Sequence, residues 1–342
     1  MDMHHGSINH LVCNALEETN MKTFTKTSAW AVVCSSMLAQ FMLTQEASAE
    51  PFAYAANEKS GTVSIIDTAT NAVIGDIAAG KKPRGMATSK DGKTLYVSDQ
   101  PEKALQVIDI ASRKVTGKID LGESPEGVYR SPDGKWIAVA IEEDNSVHFI
   151  DTASGKTEFS VKTEGDNPEH SVFSPDGKLV YVSAEEADTI DVIDVAAKKQ
   201  IASIKVGKRP RGIGFTPDGK FAYTACELAD KVYAIEVATS KVVAEIPAGV
   251  RVNGVTVHPN GKTVFVTNGG DGNVMAIDVA TNKVTKTIPV GKRPWNMAIT
   301  ADGGKLYVAN GRSNSVTAID TGKLEPIAEI AVGEFPWGVL IP

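Results

Sequence analysis

A period of 42 or 43 residues, four short β-rich runs within each period and a tight-turn signature between the runs predict one fold class for this chain. It is all-β: a seven-bladed β-propeller with four-stranded antiparallel blades.

The period is marked by a proline anchor. It stands at Pro83, Pro125, Pro168, Pro210, Pro294 and Pro336, with Val252 in the remaining place, so the steps are 42, 43, 42, 42, 42 and 42 residues. Within one copy, Arg211 to Thr216 is a short apolar run and Pro217-Asp-Gly-Lys220 is a tight turn. Asp-Gly supplies a residue that tolerates positive φ. Phe221–Ala225 is a second run, and the polar loop Cys226–Asp230 leads to a third, Lys231–Glu236. The turn Ala238–Lys241 leads to the fourth, Val242–Ile246. Each run has strand length and strand composition. Helical repeats of similar period need long 3.6-residue patterns, which these copies lack.

The second run carries Tyr-Val-Ser or Tyr-Val-Ala at Tyr96, Tyr181 and Tyr307. The third ends in an acid at Asp67, Asp109, Asp151, Asp194, Asp278 and Asp320, with Glu236 as the variant. No Trp-Asp signature is present. On these residues, and on Phe265-Val-Thr-Asn268, residues 51–342 resemble the YVTN-repeat family of β-propellers. That resemblance implies the fold and leaves the function open, since one fold hosts many functions.

In chain order, residues 1–20 show no apolar periodicity and read as an over-extended start. Residues 21–49 have the form of a secretory signal peptide: Lys22 and Lys26, an apolar stretch from Ala29 to Leu43, then Ala47-Ser48-Ala49. The stretch is too short for a transmembrane helix. Cys34 is a poor lipidation site, because Val33 precedes it and apolar sequence continues after it. The mature chain, 50–342, is thus expected to be a single exported domain that starts at Glu50 and has no transmembrane span; a monomer is expected. Cys226 is its one cysteine, so no disulfide can form within it. The formal charge of −7 becomes −5 once two lysines and four acids of residues 1–49 are removed, which argues against general nucleic-acid binding.

The mature chain opens on a second run, Phe52–Ala56, followed by a third, Thr62–Asp67, and a fourth, Ala72–Ile77. The missing first run is Pro336–Pro342 at the other end. The C-terminal strand should therefore join the three N-terminal ones and close the ring, leaving no open sheet edge at the seam.

Strand direction sorts the loops. Anchor loops and second-to-third loops share one face, the anchor face; the Asp-Gly and third-to-fourth turns share the other, the turn face. Turn chemistry accounts for the second. The first varies, and variation that geometry does not demand marks the better candidate site. Just after the anchors come Arg84, Glu126, Glu169, Arg211, Asn253, Trp295 and Trp337, expected to ring the channel mouth as ligand- or partner-binding residues. Arg–Glu pairing and tryptophan packing are the structural alternative for the same ring. His170 replaces the glycine found at Gly85, Gly127, Gly212, Gly254 and Gly338, and joins the candidates. Glu126, Glu169 and His170 are the catalytic candidates if chemistry occurs.

No metal site is visible: His148 and His258 do not cluster with Cys or His at ligand spacing. There is no Cys-x-x-Cys-His, no Gly-x-Ser-x-Gly, and no helix after Gly269-Gly-Asp-Gly272 to cradle a phosphate. No cofactor is evident.

Ser124-Pro-Glu-Gly127, Val147-His-Phe-Ile-Asp151, Lys208-Arg-Pro-Arg-Gly212 and Phe335-Pro-Trp-Gly338 resemble a narrower group. These are the exported β-propeller proteins associated with pyrroloquinoline quinone (PQQ)-dependent catabolism. The resemblance implies a periplasmic accessory to quinoprotein alcohol oxidation and transport, without implying that this chain binds the quinone. Three functions are carried forward: a non-enzymatic binding propeller whose partner is a small molecule or a periplasmic protein, such as a quinoprotein dehydrogenase or transport component; a lactonase-like hydrolase at the channel mouth; and a surface or adhesion scaffold.

Overall fold

The repeat's turn residues build the blades. In Thr216-Pro-Asp-Gly-Lys220, Asp218 Oδ1 accepts from Lys220 N at 3.1 Å and from Thr216 Oγ1 at 2.7 Å, while Phe221 N donates to Thr216 Oγ1 at 3.1 Å. Gly219 sits at φ +68°, a conformation that costs glycine nothing. The acid that ends each third strand caps the next turn: Asp67 Oδ1 accepts from Ala69 N at 2.7 Å and Thr70 N at 3.0 Å.

The computed structural model describes residues 52–342, which form seven four-stranded antiparallel sheets. The chain's all-β, seven-bladed propeller architecture is thereby established. The signal-peptide and start-site expectations concern residues 1–49 and lie outside the described residues. Blade 1 closes the ring: the C-terminal strand Pro336–Leu340 pairs with Phe52–Asn57, which pairs with Thr62–Asp67, then Ala72–Ala78. Tyr54 lies opposite Leu340 and Ala55 opposite Val339, and Glu58 N donates to Phe335 O at 2.9 Å. Blades 2 to 7 begin with inner strands Pro83–Thr88, Pro125–Arg130, Pro168–Phe173, Pro210–Phe215, Val252–Val257 and Pro294–Ile299.

Apolar clusters fill the spaces between blades. One joins Tyr223 and Val232 of blade 5 to Val264, Val266 and Ile277 of blade 6. At two of these seams the repeated tyrosine adds a polar latch. Tyr307 Oη of blade 7 donates to Asn71 Oδ1 of blade 1 at 2.5 Å, and Tyr223 Oη of blade 5 to Asn282 Oδ1 of blade 6 at 2.9 Å. Tyrosine suits this place because its ring is buried while its hydroxyl finds a partner.

The glycine two places after the anchor start has a packing reason. A Cβ on Gly85 would lie 2.4 Å from Glu126 O and 2.6 Å from Val128 N; one on Gly212 would lie 2.7 Å from Asn253 O. Adjacent inner strands touch backbone to backbone there, so a side chain needs a wider gap. Blades 4 and 7 depart from the rule, with His170 and Asn296.

Candidate functional site

Serine and threonine of the second strands set the ring residues in place. Gly85 N donates to Ser98 Oγ at 2.9 Å, and Ser98 Oγ donates to Glu126 O of the next blade at 2.7 Å. Thr267 makes the same bridge from Gly254 N, at 2.8 Å, to Trp295 O, at 2.6 Å. Glu126 and Trp295 are therefore held through their own carbonyls by the preceding blade. The anchor loops are braced from the preceding blade as well: Arg209 N donates to Asp188 Oδ1 at 3.0 Å and Arg251 N to Asp230 Oδ1 at 2.8 Å. Both arginines sit at φ near +60°, a strained region that this bracing maintains.

Two ion-pair assemblies result. Arg84 Nη1 donates to Glu126 Oε1 at 2.6 Å and Oε2 at 2.7 Å, and Arg84 Nε donates to Glu58 Oε2 at 3.1 Å. Gln100 Nε2 also donates to Glu126 Oε1. Glu126 is 1% exposed. Burial pushes its pKa up to about 8 against the pull of Arg84, with Glu169 adding to the rise.

The second assembly centres on Arg211 and Glu227. Arg211 Nη1 pairs with both Glu169 and Glu185, and Arg211 Nε donates to Glu227 Oε2 at 3.0 Å. Glu227, 1% exposed, also meets Arg293 Nη2 at 2.8 Å, Arg251 Nη1 at 3.2 Å and Arg209 Nε at 3.5 Å. Burial alone would raise Glu227; Arg211 first, then Arg293 and Arg209, hold it below the usual carboxylate range. Burial likewise opposes Arg211 at Glu169, and Arg211 prevails, leaving Glu169 low. Burial and the Glu169 charge push Glu185 up to about 10.

His170 belongs to neither assembly. Its ring stacks on Trp337, with centroids 5.7 Å apart and planes 17° apart, and its Nδ1 is hydrogen-bonded to the Tyr129 hydroxyl. Nε2 is buried and has no hydrogen-bond partner. Burial lowers the His170 pKa against the pull of Glu169, and burial raises that of Tyr129. Burial therefore favours the uncharged form of both rings. Trp337 belongs to blade 1 and His170 to blade 4, three blades away, so the pair spans the ring and shuts the channel at the anchor face. Beneath lies a cavity of about 340 Å³ whose wall includes Arg84, Tyr129, Arg130, Asn296 and Trp337.

The eight sequence candidates thus separate. Arg84 is hydrogen-bonded to Glu126, Arg211 is ion-paired with Glu169, and His170 with Trp337 forms the plug. Asn253 is buried at 3% exposure. Trp295 is turned away from the plug: it lies on Gly311, 6.1 Å from Phe335 and 5.9 Å from the Arg293 guanidinium. Sequence reasoning missed Tyr129, Gln100, Arg293 and Asn296. Asn296 carried a signal, because it breaks the same glycine rule as His170. The others sit outside the position just after the anchor. Cys226 is buried with its pKa pushed up to about 12, an inert thiol. Among the described residues, no group of three or more His, Cys, Asp or Glu is arranged to hold a metal ion. No helix among them is long and apolar enough to cross a membrane.

The family model described as "Lactonase, 7-bladed beta-propeller" matches residues 195–339, and the Cytochrome D1 heme domain model matches residues 132–254, each less than half of the chain. A search of the curated proteins returns no match. Among solved structures, the chain is similar to Kuenenia stuttgartiensis hydrazine synthase at 25% identity and TM-score 0.73, over 79% of this chain and 92% of that one. A functionally unknown protein from Desulfotomaculum acetoxidans matches at 17% identity and TM-score 0.75, over 85% of this chain and 98% of that one. The latter likeness bears on fold alone.

Proposed function

We propose that this chain is a non-catalytic binding propeller of the periplasm whose anchor face docks a protein partner. Its repeats point to an accessory role in PQQ-dependent alcohol oxidation and the transport that accompanies it. One observation carries the reading: both carboxylate candidates in the ring are already paired, and the histidine is buried beneath a tryptophan. Glu126 is held bidentately by Arg84, Glu169 is paired with Arg211, and His170 is sealed under Trp337. A general base has to reach the proton it abstracts, and these groups face one another instead.

The loops outside the ring support docking. Glu123, Glu143, Glu164 and Glu186 are exposed on blades 3 and 4, and Lys208, Arg209, Arg251, Lys292 and Arg312 on blades 5 to 7. A face with acidic and basic halves orients a partner of complementary pattern and speeds its encounter. The lactonase-family match favours a second reading, hydrolysis at the channel mouth, in which the raised pKa of Glu126 suits a proton carrier near neutral pH. The matched residues 195–339 exclude Glu126, Glu169 and His170, so that match does not extend to the groups the chemistry would need.

The test has two arms. Purified protein is assayed against γ- and δ-lactones with a pH indicator, beside Glu126→Gln. Hydrolysis above background that the variant loses would establish the enzyme reading and defeat ours. In the second arm, binding to a purified quinoprotein alcohol dehydrogenase is measured for Arg209→Glu and Arg251→Glu on the anchor face and Lys135→Glu and Lys220→Glu on the turn face. Only the anchor-face pair should weaken it; equal effects on both faces would refute docking there.

A further inference from the structure

The channel carries a feature that anchor-face docking does not use. Arg130 ends the inner strand of blade 3, at the turn-face end of the cavity. Its Nη1 donates to two backbone carbonyls of blade 2, Ser89 O at 2.8 Å and Thr88 O at 3.3 Å. No carboxylate stands within ion-pair distance of it among the described residues. Burial lowers its pKa and no neighbouring charge opposes that effect. The arginines that reach into the anchor-face ring are different: Arg84, Arg211 and Arg293 each carry at least one glutamate.

A half-buried guanidinium held by neutral carbonyls keeps donors to spare and loses hydration without gaining a counter-charge. Its surroundings are mixed, with Arg84, Thr88, Thr256 and Asn296 beside apolar side chains. Met86, Val128, Ile213, Val255 and Met297 line the cavity, and Trp337 lies at its anchor-face end. Exposure rises toward the turn face along the inner strands of blades 1, 3, 5 and 6, whereas those of blades 2 and 4 stay largely buried to that end. Val252, Asn253 and Gly254 are buried whereas Val255, Thr256 and Val257 are half-buried, and Pro336 to Val339 are buried whereas Leu340 to Pro342 are half-buried. On the side walled by blades 1, 3, 5 and 6 the bore is therefore accessible from the turn face, below the plug. At about 340 Å³ it is at the small end of ligand pockets.

We propose that the central channel binds a small organic carboxylate that enters from the turn face, its carboxylate on the Arg130 fork and its apolar body directed toward Trp337. An arginine fork matches a carboxylate bidentately, and the apolar side chains of the wall favour a hydrocarbon or aromatic remainder over a fully hydrated ion. The assignment holds whether or not a protein docks on the other face.

Calorimetric titration with benzoate, benzamide and sulfate tests it. Benzoate should bind saturably at one site, with the uncharged amide and the inorganic ion at least about tenfold weaker. Arg130→Gln should lower benzoate affinity by at least about tenfold, and Arg130→Lys, which keeps the charge and loses the fork, should fall between. Lys283→Gln, on the exposed outer strand of blade 6, should bind like the parent. Should Arg130→Gln fail to fold, the benzoate–benzamide contrast on the parent protein and the Arg130→Lys affinity still decide. Absence of saturable benzoate binding up to about 10 mM, equal binding of benzamide, or full affinity in a folded Arg130→Gln protein would overturn the assignment.

Discussion

Glu227→Gln is the sharpest test of how the anchor face is held. Glu227 is 1% exposed and lies between Arg211, Arg293, Arg251 and Arg209 at 2.8 to 3.5 Å. The amide is nearly isosteric, so packing survives while the central negative charge is lost. Four guanidinium groups from blades 5 to 7 then face one another across a neutral hub, and the amide's own N–H donors have no acceptor among them. Breaking a buried ionic network by removing one partner costs about 3–5 kcal/mol. For about 290 residues at ~2.1 cal/mol/K of unfolding entropy each, the cost corresponds to a fall in Tm of about 5–8 °C. Calorimetry and urea unfolding at pH 7, on parent and variant at equal concentration, measure it. High salt should shrink the deficit, since screening relieves the repulsion among the arginines. A Tm within about 2 °C of the parent would mean that Glu227 is not an energetic hub and that the arginines are held by their loops alone.

Three further outcomes follow from the geometry. Deleting residues 337–342 removes Trp337 and Val339, both 9% exposed, and half-buried Leu340 and Ile341, a loss of about 5–9 kcal/mol in burial alone, so the product should be insoluble or melt far lower; near-parental melting would refute ring closure by this strand. Glu126 has its pKa raised to about 8 from an ordinary 4.5, so between those values the folded state keeps a proton that the unfolded state releases. Stability from this group therefore declines as pH rises across that window, and Tm against pH should be flatter for Glu126→Gln; parallel curves would contradict the raised pKa. In the native host, mass spectrometry of the mature chain should find an N-terminus at Glu50, and an intact Met21 on a cytoplasmic protein would exclude export.

The fold was legible because its signals are local and repeated. Asp-Gly turns, terminal acids and strand alternation each concern a few neighbouring residues, and a sevenfold period averages away exceptions such as Val252. The seam was legible too, since a chain that opens on a second strand and stops after a first has one way to close. The candidate site was only half legible. Position after the anchor brought Arg84, Glu126, Glu169 and Arg211 together, but their arginines also depend on loops 16 to 26 residues away, Glu58 for Arg84 and Glu185 and Glu227 for Arg211. Equivalent positions also held inequivalent tryptophans: Trp337 crosses the channel to His170, whereas Trp295 lies back over Gly311. Side-chain direction at a repeated position depends on what the neighbouring copies leave open, and no single copy encodes that.

The seam also has a consequence in time. Phe52–Asn57 must wait for Pro336–Leu340, which a chain made or secreted N-terminus first delivers last. Until then Tyr54 to Asn57 present an unpaired edge, and closing it brings together segments separated by nearly the whole described chain, a slow event for a β-structure. Closure is thus a late step, and its rate should depend on the terminal strand more than on any internal blade. At high concentration the waiting edge can also accept the terminal strand of another molecule. Exchanged dimers and larger aggregates are then the expected products of crowded refolding, and dilution is the remedy.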